Sequence, residues 1–244
     1  MKRAILDALL EARGKKLPAA LATDLKSGSQ ALVTLSAVTG GLDLNRAELA
    51  NVRSAIRDDR SQTFDANARR IFAQVFNPPL RMVVVGAVHI AQSLAPIASL
   101  AGYAVMVVDP RRAFATGERF PNVEITHDWP DDALMRLVPD RRTAVVTLTH
   151  DPKIDDPALE AALRSDAFYI GALGSTRTHA KRLARLKESG FDDADLGRIH
   201  GPAGLSIGAK SPAEIAIAIM AQVTGVLHAK ELAAKSSVKE LGRA

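Results

Sequence analysis

The run Arg81-Met-Val-Val-Val-Gly-Ala-Val-His-Ile-Ala91 constrains this chain more than any other segment. Its apolar stretch ends at Gly86, and a helical pattern begins at once and continues through Leu100. A strand that turns directly into a helix brings backbone N–H groups and the positive end of a helix to one point. Nucleotide-binding α/β domains use that arrangement to hold phosphate. Gly86 and Ala91 occupy the first and third positions of G-x-G-x-x-G/A, but Val88 stands at the second. Glycine at that position lets backbone approach a pyrophosphate. A β-branched residue there argues against a dinucleotide bound in the usual pose.

The rest of the chain divides around Asn77-Pro78-Pro79, because two prolines stiffen the backbone and remove donors. Residues 1–77 read as a small α+β unit. Helices are expected at Lys2–Arg13 and from an Asn45 cap to Arg57, strands at Ala19–Leu25 and Ala31–Leu35, and a hairpin joining Ser61–Asp65 to Arg69–Phe76 around Ala66-Asn67. Residues 78–229 alternate regularly. Strands are expected at Arg81–Val85, Ala104–Val108, Val123–Thr126, Thr143–Leu148 and Ala167–Ile170. Between and after them fall helices at His89–Ala101, Pro130–Leu137, Asp155–Arg164, Ser175–Lys187 and Ser211–His228. Such alternation implies an α/β fold with a mostly parallel sheet covered by helices on both faces. Residues 230–244 form a Lys-rich tail.

The chain has no cysteine, which excludes disulfides, thiolate metal sites and cysteine nucleophiles. No apolar run approaches the roughly 18 residues of a membrane span. Asp7 and Glu11 break the apolar start, so it reads as an amphipathic helix and not as a signal peptide. A cytoplasmic protein is expected. The net charge of +5 suits anionic ligands or an acidic partner. With aromatics at 4% and dispersed basic residues, nucleic acid is not an expected partner.

In a doubly wound sheet, ligands bind at the carboxyl ends of the strands. The unusual residues collect there: Gly86, Val88 and His89 after one strand, Asp109 and Arg111 after the next, His150 and Asp151 after the β-branched strand, then Gly171, Gly174 and Ser175. Asp109 follows Gly86 at close to the roughly 20-residue spacing of an acid that hydrogen-bonds a ribose, although it also suits a turn before Pro110. Arg111 could meet a phosphate. His89, at a helix start, is expected to act as a neutral donor or acceptor. His150 and Asp151 could orient a ligand or transfer protons, while Asp151 could equally form a turn before Pro152. Gly171-Ala-Leu-Gly174-Ser175 repeats the logic of a phosphate loop, with Ser175 also available as a helix cap. Ser211, Pro212 and Glu214 have the pattern of a capping box. His89, His150, His179 and His200 lie on separate elements without i, i+4 spacing, so no metal site is expected.

Taken in order, Val85-Gly-Ala-Val-His-Ile-Ala-Gln92, Val108-Asp-Pro-Arg111, Phe114-Ala-Thr-Gly-Glu-Arg-Phe-Pro121, Leu148-Thr-His-Asp-Pro152, Tyr169-Ile-Gly-Ala-Leu-Gly-Ser175 and Gly204-Leu-Ser-Ile-Gly-Ala-Lys-Ser-Pro-Ala-Glu-Ile215 resemble the XdhC/CoxI family, the accessory factors of xanthine dehydrogenase and related molybdenum hydroxylases. The resemblance implies a Rossmann-like C-terminal domain and a role in maturation. It implies a chaperone that binds molybdenum cofactor, as molybdopterin or its nucleotide form, and protects it while a sulfido ligand is installed. The cofactor would then pass to an apo molybdenum hydroxylase. A cysteine desulfurase would supply the sulfur, since this chain has no thiol and lacks the family's Gly-Gly-Cys-Val-Glu-like motif. A homodimer is compatible with this reading, and a free-standing enzyme is not its main expectation. Two alternatives use the same crevice: an NAD(P)-dependent oxidoreductase, which Val88 disfavours, and a nucleotide-binding regulatory or scaffold component that takes AMP or NAD.

Overall fold

The structure, a computed structural model, describes residues 2–66 and 69–229. It divides into two compact units, one ending at Pro78 and the other beginning at Pro79. The expected tail, residues 230–244, lies outside the described residues, as do Asn67 and Ala68 of the expected hairpin turn.

The first unit contains α1 (Arg3–Gly14), β1 (Ala19–Asp24), β2 (Gln30–Thr34), β3 (Val38–Gly40), α2 (Arg46–Arg57), β4 (Gln62–Ala66) and β5 (Arg69–Phe76). Its strands form an antiparallel sheet in the order β3-β2-β1-β5-β4. Successive strand residues face opposite sides, so one sheet serves two helices. Ala20, Ala22, Val33 and Ile71 pack with Val52, Ala55 and Ile56 of α2. Ala19, Leu21 and Leu32 pack with Ile5, Leu9 and Ala12 of α1. Asn45 caps α2 in a reciprocal box with Glu48. Strand β3 is absent from the sequence expectation: its three residues are all exposed at the sheet edge, so they carry no apolar alternation.

The second unit runs β6 (Leu80–Val85), α3 (His89–Leu100), β7 (Tyr103–Val108), β8 (Glu124–Thr126), α4 (Pro130–Leu137), β9 (Thr143–Thr147), α5 (Pro152–Leu163), β10 (Tyr169–Ala172), α6 (Thr176–Glu188), α7 (Asp193–Leu196), β11 (Ile199–His200) and α8 (Pro212–Leu227). The six strands are ordered β11-β10-β9-β6-β7-β8, and every pairing is parallel. This is the Rossmann-like order, in which the chain steps outward to β8 and then returns to start β9 on the other side of β6. The crevice between β6 and β9 is therefore the topological switch point.

Both faces of this sheet are covered, as continuous apolar strands require. Met82, Val84, Val107 and Val146 meet Leu94, Ala98, Ile219 and Val223 of α3 and α8. Val83, Val85, Val145 and Ile170 meet residues of α4, α5 and α6, among them Leu134, Leu159 and Leu186. Helix α5 starts at Pro152, three residues earlier than expected, because Asp151 caps it and proline suits its first position. Strand β10 starts two residues later than expected, and α7 and β11 are too short to leave a periodic signal.

Candidate functional site

Gly86 turns the chain out of β6 at a φ of +108°, and a Cβ there would lie 2.5 Å from the Thr149 Cγ2. The close approach that demands glycine is thus made by the protein's own loop after β9. The next residue, Ala87, donates its N–H to the Asp109 carboxylate at 2.8 Å. Val88 takes the N-cap position of α3 in extended conformation and supplies no side-chain cap. Its side chain leans against the core formed with α3 and α8. The first N–H groups of α3 are left without a side-chain acceptor, and His89 stands exposed beside them.

Asp109 is fully buried at the end of β7. It accepts the Arg111 N–H and Nε at 2.9 Å each on one oxygen. The other takes Arg111 Nη2 and the Ala87 N–H, both at 2.8 Å. Burial pushes this carboxyl up, but the bonds from Arg111 and Ala87 outweigh it and hold the group below the usual carboxylate range. Four donors use its acceptor capacity, so the structure gives Asp109 a different task from the ribose contact suggested by its spacing. It fixes the guanidinium of Arg111. That guanidinium also lies 4.6 Å from the Phe114 ring centroid. Downstream, Arg119 binds the Phe114 carbonyl at 2.5 Å and Gln92 Oε1 at 3.0 Å, which fastens this segment to α3.

After β9 the chain crosses the switch point. His150 is exposed and held in left-handed conformation, with φ at +62°. Asp151 caps α5 by accepting the Lys153 N–H at 3.0 Å. Asp155, missed by the sequence reading, organises this loop from below. It accepts Thr149 Oγ1 at 2.7 Å and the His150 N–H at 3.0 Å, and its Oδ2 lies 3.7 Å from Arg182 Nη2. Both members of that pair are 2% exposed. Burial raises the Asp155 pKa despite these partners. The negative charges of Asp151 and Asp155 in turn act on Arg111, which links the loops after β7 and β9 electrostatically.

The loop after β10 departs from its expected role at one glycine. Gly171 lies inside the strand, where a Cβ would come within 2.7 Å of the Tyr169 ring. The missing side chain makes room for that ring, which stacks on His200 at 4.8 Å and donates its hydroxyl to Gln222 Oε1 at 2.6 Å. Gly171 therefore serves packing here and not close approach to a phosphate. Gly174 adopts a φ of +146°, and Ser175 caps α6 through the Thr178 N–H at 3.1 Å. Gly86, Val88, His89, Asp109, Arg111, His150 and Asp151 thus border the switch point, with Gly174 and Ser175 one strand further along.

Asp155 and Arg182 are the residues that sequence reasoning missed. Arg182 left one signal: it stands one helical turn before Leu186, a charge within an apolar stripe. Among the described residues no cluster of His, Asp or Glu could hold a metal ion, and no helix is long and apolar enough to cross a membrane. A cleft of about 820 Å³ lies between α4 and α5 near Asp140 and Asp166, at the amino edge of the sheet and away from these loops. The arrangement at the carboxyl edge can hold anions, with a fixed guanidinium, an uncapped helix start and two exposed imidazoles.

Residues 82–223, more than half of the chain, match the family model for the XdhC Rossmann domain. The chain belongs to the XdhC family. It is 32% identical over 157 residues to the molybdenum cofactor insertion chaperone PaoD of Escherichia coli, covering 64% of this chain and 43% of that protein. It is 28% identical over 178 residues to a probable xanthine dehydrogenase component of Bacillus subtilis, covering 72% of this chain and 52% of that one. This XdhC chain therefore spans about half the length, or less, of these curated relatives. A crystal structure described as a xanthine dehydrogenase from Bacillus halodurans superposes with a TM-score of 0.68 at 26% identity, covering 92% of this chain and 64% of that one. The XdhC match takes in all the loops described above, from Gly86 to Glu214.

Proposed function

We propose that this chain holds molybdenum cofactor during the maturation of a molybdenum hydroxylase and passes it to the apo-enzyme. One observation carries the reading. At the switch point the uncapped start of α3 lies beside the turn held by Asp109, and the same carboxylate fixes the Arg111 guanidinium. Molybdenum cofactor is a pterin that ends in a phosphate or a nucleotide pyrophosphate, and charge-assisted hydrogen bonds from arginine and helix N–H groups suit that end. The role of the Escherichia coli relative as an insertion chaperone supports the same reading.

In this proposal Arg111 and the first N–H groups of α3 hold the anionic end, with the amides around Gly174 and Ser175 as a further contact. His89 and His150 contact the polar head, while Asp109 and Asp155 act only by positioning. The work done is retention, not bond-making. Sulfuration of the cargo requires a cysteine desulfurase as a partner, because this chain has no thiol. The exchange is placed in the cytoplasm, with a homodimer compatible with it. Val88 stands at the fingerprint position where glycine lets a pyrophosphate approach, which disfavours the oxidoreductase reading.

The test is native mass spectrometry of the full chain co-expressed with the cofactor pathway, followed by transfer to an apo molybdenum hydroxylase. Bound pterin, and its loss in Arg111→Met, are expected. A chain that carries no pterin and activates no client would end this reading.

A further inference from the structure

A second cleft, of about 290 Å³, opens between the first turns of α5 and α6. That volume suits a small group better than a whole nucleotide. Four cations line it, Arg177, Lys181, Arg182 and Arg185, against the carboxylates of Asp155 and Asp156. The carboxylates are already engaged. Asp156 binds Arg185 through two bonds of 2.5 and 3.0 Å, and Asp155 serves Thr149 and the His150 N–H.

Arg182 is the unusual member. It is 2% exposed, and only its Nη2 is used, donating to the Leu173 carbonyl at 2.8 Å and lying near Asp155. Its Nε and Nη1 are buried with no hydrogen-bond partner among the described residues. A buried charged donor without an acceptor is costly and calls for an explanation. Arg177, Lys181 and Arg185 follow one another at i, i+4 spacing on α6, where like charges repel. The first turn of α6 also carries no acid to offset its dipole. A single anion in the cleft would offset the like charges along α6 and its unopposed dipole, with the buried Arg182 among the lining residues.

We propose that this cleft is an oxyanion site that takes a phosphate group, held by Arg182 at its floor and by Arg177, Lys181 and Thr178 at its rim. Its cations are not those of the Arg111 corner, but it adjoins the proposed cargo site, since His150 and Asp155 also line it. The phosphate arrives either as the free ion or as the terminal group of a larger ester, and the chemistry of recognition is shared.

The experiment is isothermal titration of the full chain with inorganic phosphate, and separately with AMP, in buffered sodium chloride. Saturable phosphate binding is expected, weakened at least tenfold in the Arg177→Met/Lys181→Met double variant. Arg182→Lys, which keeps a cation beside Asp155, should weaken it similarly with an unchanged circular dichroism spectrum. If Arg182→Lys does not fold, the rim double variant decides. AMP that competes with phosphate and binds more tightly assigns the site to an ester; AMP that fails to displace phosphate assigns it to the free ion. No saturable phosphate binding, or binding that ignores the rim substitutions, overturns the proposal. Pterin retention is not read here, so failure of phosphate binding is distinguishable from failure of the cargo experiment.

Discussion

The Asp109 carboxylate accepts the Ala87 N–H at 2.8 Å, so a buried acid at the end of β7 holds the turn that leaves β6. The same oxygens grip Arg111, which makes one side chain responsible both for the loop and for the cation beside it. Asp109→Asn keeps the shape but not the charge. It should cost about 1.5–3 kcal/mol in denaturant unfolding, the worth of hydrogen bonds to a charged group. Pterin retention should fall further than the stability loss explains, since Arg111 is no longer fixed.

Gly86→Ala tests whether this glycine is needed for conformation, for space, or for both. The backbone term alone is about 1–3 kcal/mol, and the collision with Thr149 Cγ2 adds to it. Thr149→Ser removes that methyl and keeps the hydroxyl for Asp155. The double variant should recover the collision term only, read as a coupling energy in a double-mutant cycle.

His150 separates strain from function. Glycine tolerates its φ of +62° without the left-handed penalty but loses more entropy on folding. His150→Gly should therefore leave stability unchanged or raise it by up to about 1 kcal/mol, while client activation drops. Unchanged activation would remove the imidazole from the proposed contact.

Glu48 gives the first unit a defined response to acid. Hydrogen bonds from Arg69 hold its carboxyl below the usual range, against the opposing effect of burial. A group with a lowered folded pKa stabilises the fold above the unfolded value, about 4.3 for Glu, and that contribution is lost as pH falls through the folded value. Arg69→Met reverses the sign by leaving Glu48 buried without its cation. The variant should melt lower at pH 7 and regain part of the difference as pH is lowered and Glu48 takes a proton. Thermal melts of both proteins across that range make the comparison.

Val88→Gly restores the glycine of a dinucleotide fingerprint. Glycine is also a better N-cap than valine, which offsets part of the lost packing, so stability should change little. NAD affinity measured by titration should rise at least tenfold if the valine side chain is what keeps a pyrophosphate away.

Most of the second unit was legible because its strands are unbroken apolar runs and its helices carry caps, as at Ser175 and Ser211. The corner formed by Gly86, Asp109 and Arg111 was legible as a set of residues but not as a set of bonds. The spacing of Asp109 said ribose, and only the fold shows its oxygens turned toward Ala87 and Arg111. Asp155 reads in sequence as an ordinary acid in the first turn of a helix, since its burial depends on how the Thr149 loop reaches over it. Gly171 looked like part of a phosphate loop, and its purpose depends on where the Tyr169 ring lies. Contacts of this kind join residues that no local pattern connects.

The oxygen of Gln222 accepts both the Tyr169 hydroxyl and the Gly204 N–H, at 2.6 and 2.8 Å. From Gly204 the chain runs to Ser211, where Glu214 fastens it again by accepting the N–H groups of Lys210 and Ser211 at 2.8 Å each. The span between is moored at both ends and carries two exposed apolar residues, Leu205 beside its first mooring, where its N–H reaches the Ala218 carbonyl at 3.1 Å, and Ile207 further along. Its moorings lie on α8, through Gln222, Ala218 and Glu214, with Tyr169 of β10 sharing the first of them. Gln222→Ala would cut the bond at Gly204 but leave the one from Leu205 to α8, so the span would keep its length to within one residue.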